Sequence, residues 1–202
     1  WLGEDVAPGQ LVNIRDDHAL SIRPDNTTVI INTSTGELVP HFVDLDPRAS
    51  AGRQGIILRP LAPLELTTRY VVALQGLDGV TGERIQAPEG FRRLKERQPL
   101  GTTDGRDVEV RYQNEIFPEL RRAGVDVDGL QLAWDFTTAS AEWQTADILD
   151  AHSAAAAITA SEEPVIDIIG TDDTGDDRME HLVHGTIRVP SVLEADEPGA
   201  AL

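Results

Sequence analysis

The stretch Thr68-Arg69-Tyr70-Val71-Val72-Ala73-Leu74 decides the fold. It is rich in β-branched and aromatic residues, and Tyr70, Val72 and Leu74 share one face by the two-residue period of a strand. Upstream, Thr28-Val29-Ile30-Ile31-Asn32 is a second β-branched run. Thr35-Gly36-Glu37 supplies a turn before Leu38-Val39-Pro40-His41-Phe42, and Gly55-Ile56-Ile57-Leu58-Arg59 closes on Pro60. Downstream, Leu77-Asp78-Gly79-Val80-Thr81-Gly82-Glu83 holds two glycines suited to a loop between strands. Strands at this spacing, with no helix expected between them, predict a β-sandwich rather than a parallel α/β sheet.

Beyond residue 100 the period changes. Val108, Tyr112, Ile116 and Leu120 recur every four residues, which predicts a helical insertion near residues 106–124, bent near Pro118 and stopped by Gly124. Leu130, Leu132, Trp134 and Phe136 then alternate with Gln131, Ala133, Asp135 and Thr137, a strand with its apolar residues inward. The expected core is Tyr70, Val72, Leu74, Leu132, Trp134 and Phe136. Ser140 caps a second helix, expected to run to about Thr159 with Trp143 on its apolar face, and Pro164 blocks its continuation. Two apolar runs, Val165–Ile169 and Leu182–Pro190, read as strands joined by an acidic loop. The tail 194–202 has no periodicity and reads as a linker. The expected domains are 1–140 and 141–202.

Composition limits the function classes. The chain has 202 residues, 17 basic against 35 acidic side chains, and a formal net charge of −18. That balance disfavours nucleic acid, whose binding needs cations to displace counterions, and it disfavours an anionic membrane surface. No apolar run reaches the roughly 18 residues of a membrane span. With no cysteine, disulfides, iron–sulfur clusters and thiolate zinc sites are excluded. The opening Trp1-Leu2-Gly3-Glu4-Asp5 has no initiator Met and no basic leader, which is read as a removed signal peptide or a trimmed start. Trp1 is the one tryptophan expected on the surface. Residues 161–202 alone carry 11 acidic and 2 basic side chains.

The segments Ile57–Leu64, Thr68–Val72 and Leu77–Gly82, with Trp134-Asp135-Phe136-Thr137-Thr138 as closing strand, resemble a bacterial Ig-like domain. That resemblance implies a Tyr70 whose ring packs in the core and whose hydroxyl anchors a loop, as in a tyrosine corner. A second resemblance is to the N-terminal part of large bacterial exported proteins that carry a downstream α/β-hydrolase domain. It rests on Thr35–Asp46, Leu130–Ser140 and His184-Gly185-Thr186-Ile187-Arg188-Val189-Pro190. In that family the nucleophile elbow G-x-S-x-G follows later, and this chain stops before one.

None of Ser21, Ser34, Ser50, Ser140, Ser153, Ser161 and Ser191 sits in G-x-S-x-G. The five histidines, His18, His41, His152, His181 and His184, form no zinc-binding spacing, and His181 and His184 fall on opposite faces of a strand. A structural hydrogen bond is the expected role of His41. The best metal candidate is the acidic stretch Gly170–Asp177, whose oxygens suit calcium, with a solvated loop as the plainer reading.

These readings combine into one expectation. The fold is mainly β, an Ig-like β-sandwich with a helical insertion, followed by a helix and the first antiparallel strands of an α/β-hydrolase domain. The function is that of the non-catalytic N-terminal portion of an exported, secreted or envelope-bound lipase- or esterase-like serine hydrolase. It would pack on the catalytic domain and shape its entrance, meeting an ester or polymer substrate only through that domain. No catalytic residue, cofactor or metal ligand is assigned. The alternative is an independent surface Ig-like module that binds a protein or a glycan.

Overall fold

The run around Tyr70 becomes the central strand of a three-stranded sheet. The computed structural model describes residues 2, 4–102, 104–161, 165–189 and 191. Within them the elements are, in chain order, β1 (Thr28–Asn32), β2 (His41–Leu45), β3 (Ile56–Pro60), β4 (Arg69–Gln75), α1 (Glu89–Lys95), α2 (Gly105–Arg111), α3 (Phe117–Arg122), β5 (Leu130–Thr137), α4 (Ala141–Ser161), β6 (Ile166–Asp176) and β7 (Met179–Ile187). A π-helical turn, Tyr112–Ile116, joins α2 to α3. The chain divides into two compact units, Trp1–Ala139 and Ser140–Leu202.

In the first unit the antiparallel sheet has the order β1-β4-β5, and β2 pairs with β3 as a separate hairpin. β4 is buried from Tyr70 to Gln75 because both faces of its sheet are covered. Val29, Ile31, Val71, Ala73 and Ala133 face the helical layer, where Phe91, Leu94, Ile116, Phe117 and Leu120 meet them. On the opposite face, Val72, Leu74, Leu132 and Trp134 lie toward Val43, Ile56 and Leu58 of the β2–β3 hairpin. The layers run helices, sheet, hairpin. Tyr70 is buried, and its Oη accepts the backbone N–H of Glu65 at 2.9 Å, as the resemblance implied.

Four expectations are corrected here. The balance is mixed, about 30% strand and 29% helix, rather than mainly β. Part of the difference is α1, which falls where only strands were expected. Glu89 opens it, Arg92, Arg93 and Lys95 sit in its last turn, and Phe91 and Leu94 are buried one turn apart. In β5, Leu132 and Trp134 are half-buried and Phe136 is 36% exposed, although its ring stacks on Tyr70. The face read as polar is the better covered one: Ala133 packs on the helical layer, and the Gln131 amide is tied to the Leu77 and Ile85 backbone. In the insertion, Ile116 and Leu120 are buried and Tyr112 packs against the same core, but Val108 is 39% exposed. Pro118 has no N–H to donate, and the π turn before Phe117 absorbs that loss. Phe117 is buried beside Ile116 and Leu120, so the stripe holds through the turn and lapses only at Val108, which precedes it. Gly124 then takes φ +82°, with Val125 N–H donating to Leu120 and Gly124 N–H to Arg121, a Schellman stop.

In the second unit, the Trp143 N–H donates to Ser140 Oγ at 3.1 Å, the expected cap of α4. No residue of α4 is buried, and Trp143, expected on a packed face, is 76% exposed. Trp143, Ile148, Leu149 and Ile158 point in different directions around the helix axis, so it presents no apolar stripe. β6 and β7 pair with each other as a two-stranded ribbon. The readings placed on Trp1, Pro164, Pro190 and the tail 194–202 lie outside the described residues.

Candidate functional site

The ribbon carries an exposed apolar face. Cross-strand pairs Ile166↔Ile187, Ile168↔Gly185 and Thr171↔Val183 put Ile166, Ile168, Val183 and Ile187 on one face. The intervening pairs Asp167↔Thr186 and Asp172↔Leu182 belong to the other. The four apolar residues are 60%, 67%, 56% and 56% exposed. Fully covering such side chains is worth roughly 1.5–3 kcal/mol each. A lone two-stranded ribbon has no second layer to collect that energy.

The acidic stretch read as a loop is strand. β6 runs to Asp176, the turn is only Asp177-Arg178, and Gly175 takes φ +64° where the register shifts between Asp173 and Asp176. Strand parity sends neighbouring carboxylates to opposite faces, and each meets a histidine. His181 Nδ1 lies 2.7 Å from Asp173 Oδ1, and His184 Nε2 lies 2.9 Å from Asp172 Oδ2. Among the described residues no group of three or more His, Asp or Glu side chains gathers as a calcium site requires.

The first unit holds a charged cluster that the sequence reading missed. Asp135 faces the helical layer from β5, its side chain 5% exposed. Arg69 Nε donates to it at 2.6 Å and Arg111 at 2.7 Å. The second guanidinium nitrogen of Arg69 lies 3.2 Å from Glu115 without hydrogen-bond alignment. Burial pushes the Asp135 carboxyl up, but the hydrogen bonds from Arg111 and Arg69 outweigh it and hold it below the ordinary carboxylate value. Nearby, Tyr112 Oη donates to Ala133 O at 2.7 Å. Burial, and then the Asp135 charge, push that phenol up. These bonds pin the π turn to β5. An aspartate in mid-strand, a position strands disfavour, was the available signal.

Ser21, Thr28 and His41 of the first unit are tied into one buried hydrogen-bonded group. The His41 backbone N–H donates to Ser21 Oγ at 3.0 Å, and that hydroxyl donates to His18 O at 2.7 Å. His41 Nδ1 lies 2.8 Å from Val39 O, which requires an N–H there. Nε2 is then the acceptor for the Thr28 hydroxyl at 2.9 Å. A hydroxyl on an imidazole is the pairing of a nucleophile with its base, yet Thr28, Ser21 and His41 are all fully buried. His18 stacks on Phe42. Ser140, Ser153 and Ser161 bond within or at the cap of α4, and His152 lies exposed on that helix.

Burial drives the His41 pKa below its ordinary 6.5, against the smaller opposing effect of the Val39 carbonyl. The unfolded chain therefore binds this proton more readily than the folded one. The contribution is complete above pH 6.5 and is lost as pH falls from there toward the lower folded value. The urea midpoint of the first unit is expected to be lower at pH 5.0 than at pH 7.5, a window above the carboxylate range. A flat or rising midpoint would contradict the buried, neutral His41.

Among the described residues no helix is long and apolar enough to cross a membrane. Comparison with protein-family models, curated proteins and solved structures finds no match to the chain.

Proposed function

We propose that this chain is the non-catalytic, positioning part of an exported serine hydrolase of lipase or esterase type. In this reading the layered unit is an Ig-like sandwich whose outer sheet face is closed by the helical insertion. The β6–β7 ribbon is a docking element that joins the sheet of the catalytic domain, and substrate meets the chain only through that domain. The observation that carries the reading is the uncovered apolar face of Ile166, Ile168, Val183 and Ile187. An amphipathic ribbon of this kind gains most by adding to a larger sheet, which supplies both the missing layer and partners for its edges. The Tyr70–Glu65 bond supports the sandwich, because a buried tyrosine tied to backbone a few residues upstream is a sandwich corner.

The test has two arms. The purified chain is expected to show no turnover of p-nitrophenyl butyrate above the uncatalysed rate, and turnover abolished by a single Ser→Ala change would overturn the non-catalytic assignment. Ile168→Lys with Val183→Lys is expected to shift the urea midpoint by less than about 0.5 kcal/mol equivalent, as surface substitutions do. A loss of several times that amount would show that the chain itself covers this face.

The alternative, an independent module binding a protein or glycan, draws on the half-buried Trp134 at an open edge of the layers. Aromatic residues at such edges are common contact points for sugars and peptides. Saturable binding of a soluble glycan, lost in Trp134→Ala, would favour it.

A further inference from the structure

His41 stands at the base of the β2–β3 hairpin, which Leu61 N–H closes by donating to Pro40 O at 3.0 Å. Its buried ring meets Thr28 of β1, and its backbone N–H holds the 3₁₀ turn His18–Ile22 through Ser21. One residue therefore ties the hairpin, the sheet and the turn together. Val43 N–H makes the next bond along the same edge of β2, to Val12 O at 2.8 Å. The chain before the hairpin is held separately: Leu38 bridges Ile31, and Val39 N–H donates to Ile30 O. Pro40 is thus a hinge between a fixed segment and the hairpin.

The two faces of the sheet are packed by different residues. Among the described residues, the cluster on the helical face contains none from the hairpin or the 3₁₀ turn. The hairpin meets only the opposite face, through Val43, Ile56 and Leu58. Parting of the hairpin from the sheet would leave the helical layer packed.

The seam accommodates His41 only as a neutral ring. Nδ1–H is committed to Val39 O, so a second proton would sit on Nε2 and point at Thr28 Oγ1. The Thr28 hydroxyl would have to turn its hydrogen away, and its oxygen already takes an N–H of Asn26 at 3.4 Å. No carboxylate on the surrounding elements is free to meet the cation. Asp17 caps the 3₁₀ turn at Ala19 N–H, Asp44 pairs with Arg59 across the hairpin, and Glu37 is exposed. Of the cations, Arg23 pairs with Asp25, and Arg69 with Asp135 on the helical face. His18 stacks on Phe42, and β1 carries no charged residue. A buried charge without an anion is expelled or opens its site.

We infer that His41 is an acid-released latch, whose protonation parts the hairpin from the sheet while the sheet and helical layer stay folded. The parting uncovers the apolar face of Ile30 and Val72, on which Leu58 and Trp134 pack. The latch is independent of the proposed function.

Amide hydrogen exchange of the full chain, followed by NMR at pH 7.5 and 5.0 and corrected for intrinsic exchange rates, tests it. In the open form the imidazole titrates near its ordinary 6.5, so the open fraction is expected to rise by up to about thirtyfold between these pH values. Protection at His41 and Val43 is expected to lie below that of Val71 and Ala73 at both pH values, and to fall by that factor at pH 5.0. The fall is expected to vanish in His41→Gln and to persist in His18→Gln. Should His41→Gln fail to fold, the imidazole ¹⁵N signals of the parent chain decide: His41 is expected to be the neutral Nδ1–H tautomer wherever the Val43 amide is protected. Equal protection of Val43 and Val71 at pH 5.0, a fall that follows His18, or a protonated His41 with Val43 still protected would each overturn the inference.

Discussion

Phe117→Ala is expected to cost about 3–5 kcal/mol, the range for aromatic truncation in a packed core. Phe117 is 1% exposed and stands where the helical layer meets the sheet. Its ring meets Phe91 edge-on at 6.2 Å and Tyr112 at 5.5 Å, with the Arg121 guanidinium 5.8 Å away. Such pairs add to burial because ring edges and faces carry opposite partial charge. The truncation therefore removes two ring contacts of the Phe91–Tyr112–Phe117 cluster as well as apolar area. Val110→Ala, on the same insertion but 50% exposed, is expected to cost no more than about 0.5 kcal/mol. Urea unfolding of both variants checks this. A Phe117→Ala loss below about 1 kcal/mol would mean that the helices do not form a packed layer.

Asp135→Ala is expected to cost about 3 kcal/mol, because it leaves the partly buried Arg69 without its hydrogen-bonded anion and with only the unaligned Glu115 carboxylate nearby. Arg111 is the more exposed partner, and Arg111→Ala is expected to cost no more than about 1 kcal/mol. Asp135→Leu with Arg69→Met, which removes both charges and keeps the volume, is expected to recover most of the loss. Equal losses for Asp135→Ala and Arg111→Ala would show that the cluster is an ordinary surface network.

The strands were legible where the code is local. Thr28–Asn32 is β1 at both ends, and the alternation around Tyr70 found β4. The Ser140 cap and the Gly124 stop were legible for the same reason, since each depends on one residue beside its helix. Burial was less legible. Alternation in β5 identified a strand but not its better-covered face, because helices distant in sequence bury Ala133 and Asp135. The period found Tyr112, Ile116 and Leu120 but not that Val108, on the first helix of the insertion, lies outside the core. The acidic stretch 170–177 was misread because Gly, Asp and Thr favour turns locally, while pairing with Met179–Ile187 holds them in a ribbon. The Asp135 cluster joins residues from β4, β5 and the insertion, so no spacing along the chain announces it.

Whether the ribbon waits for a larger sheet is tested most directly by amide hydrogen exchange on a sample shown to be monomeric. Exchange across residues 165–189 is compared with exchange in β4 of the same molecules. A ribbon with no buried residue has little to hold its cross-strand bonds closed, whereas β4 is covered on both faces. The account predicts that the ribbon amides exchange orders of magnitude faster than those of Tyr70 to Leu74. Protection of the ribbon equal to that of β4 in the monomer would contradict it.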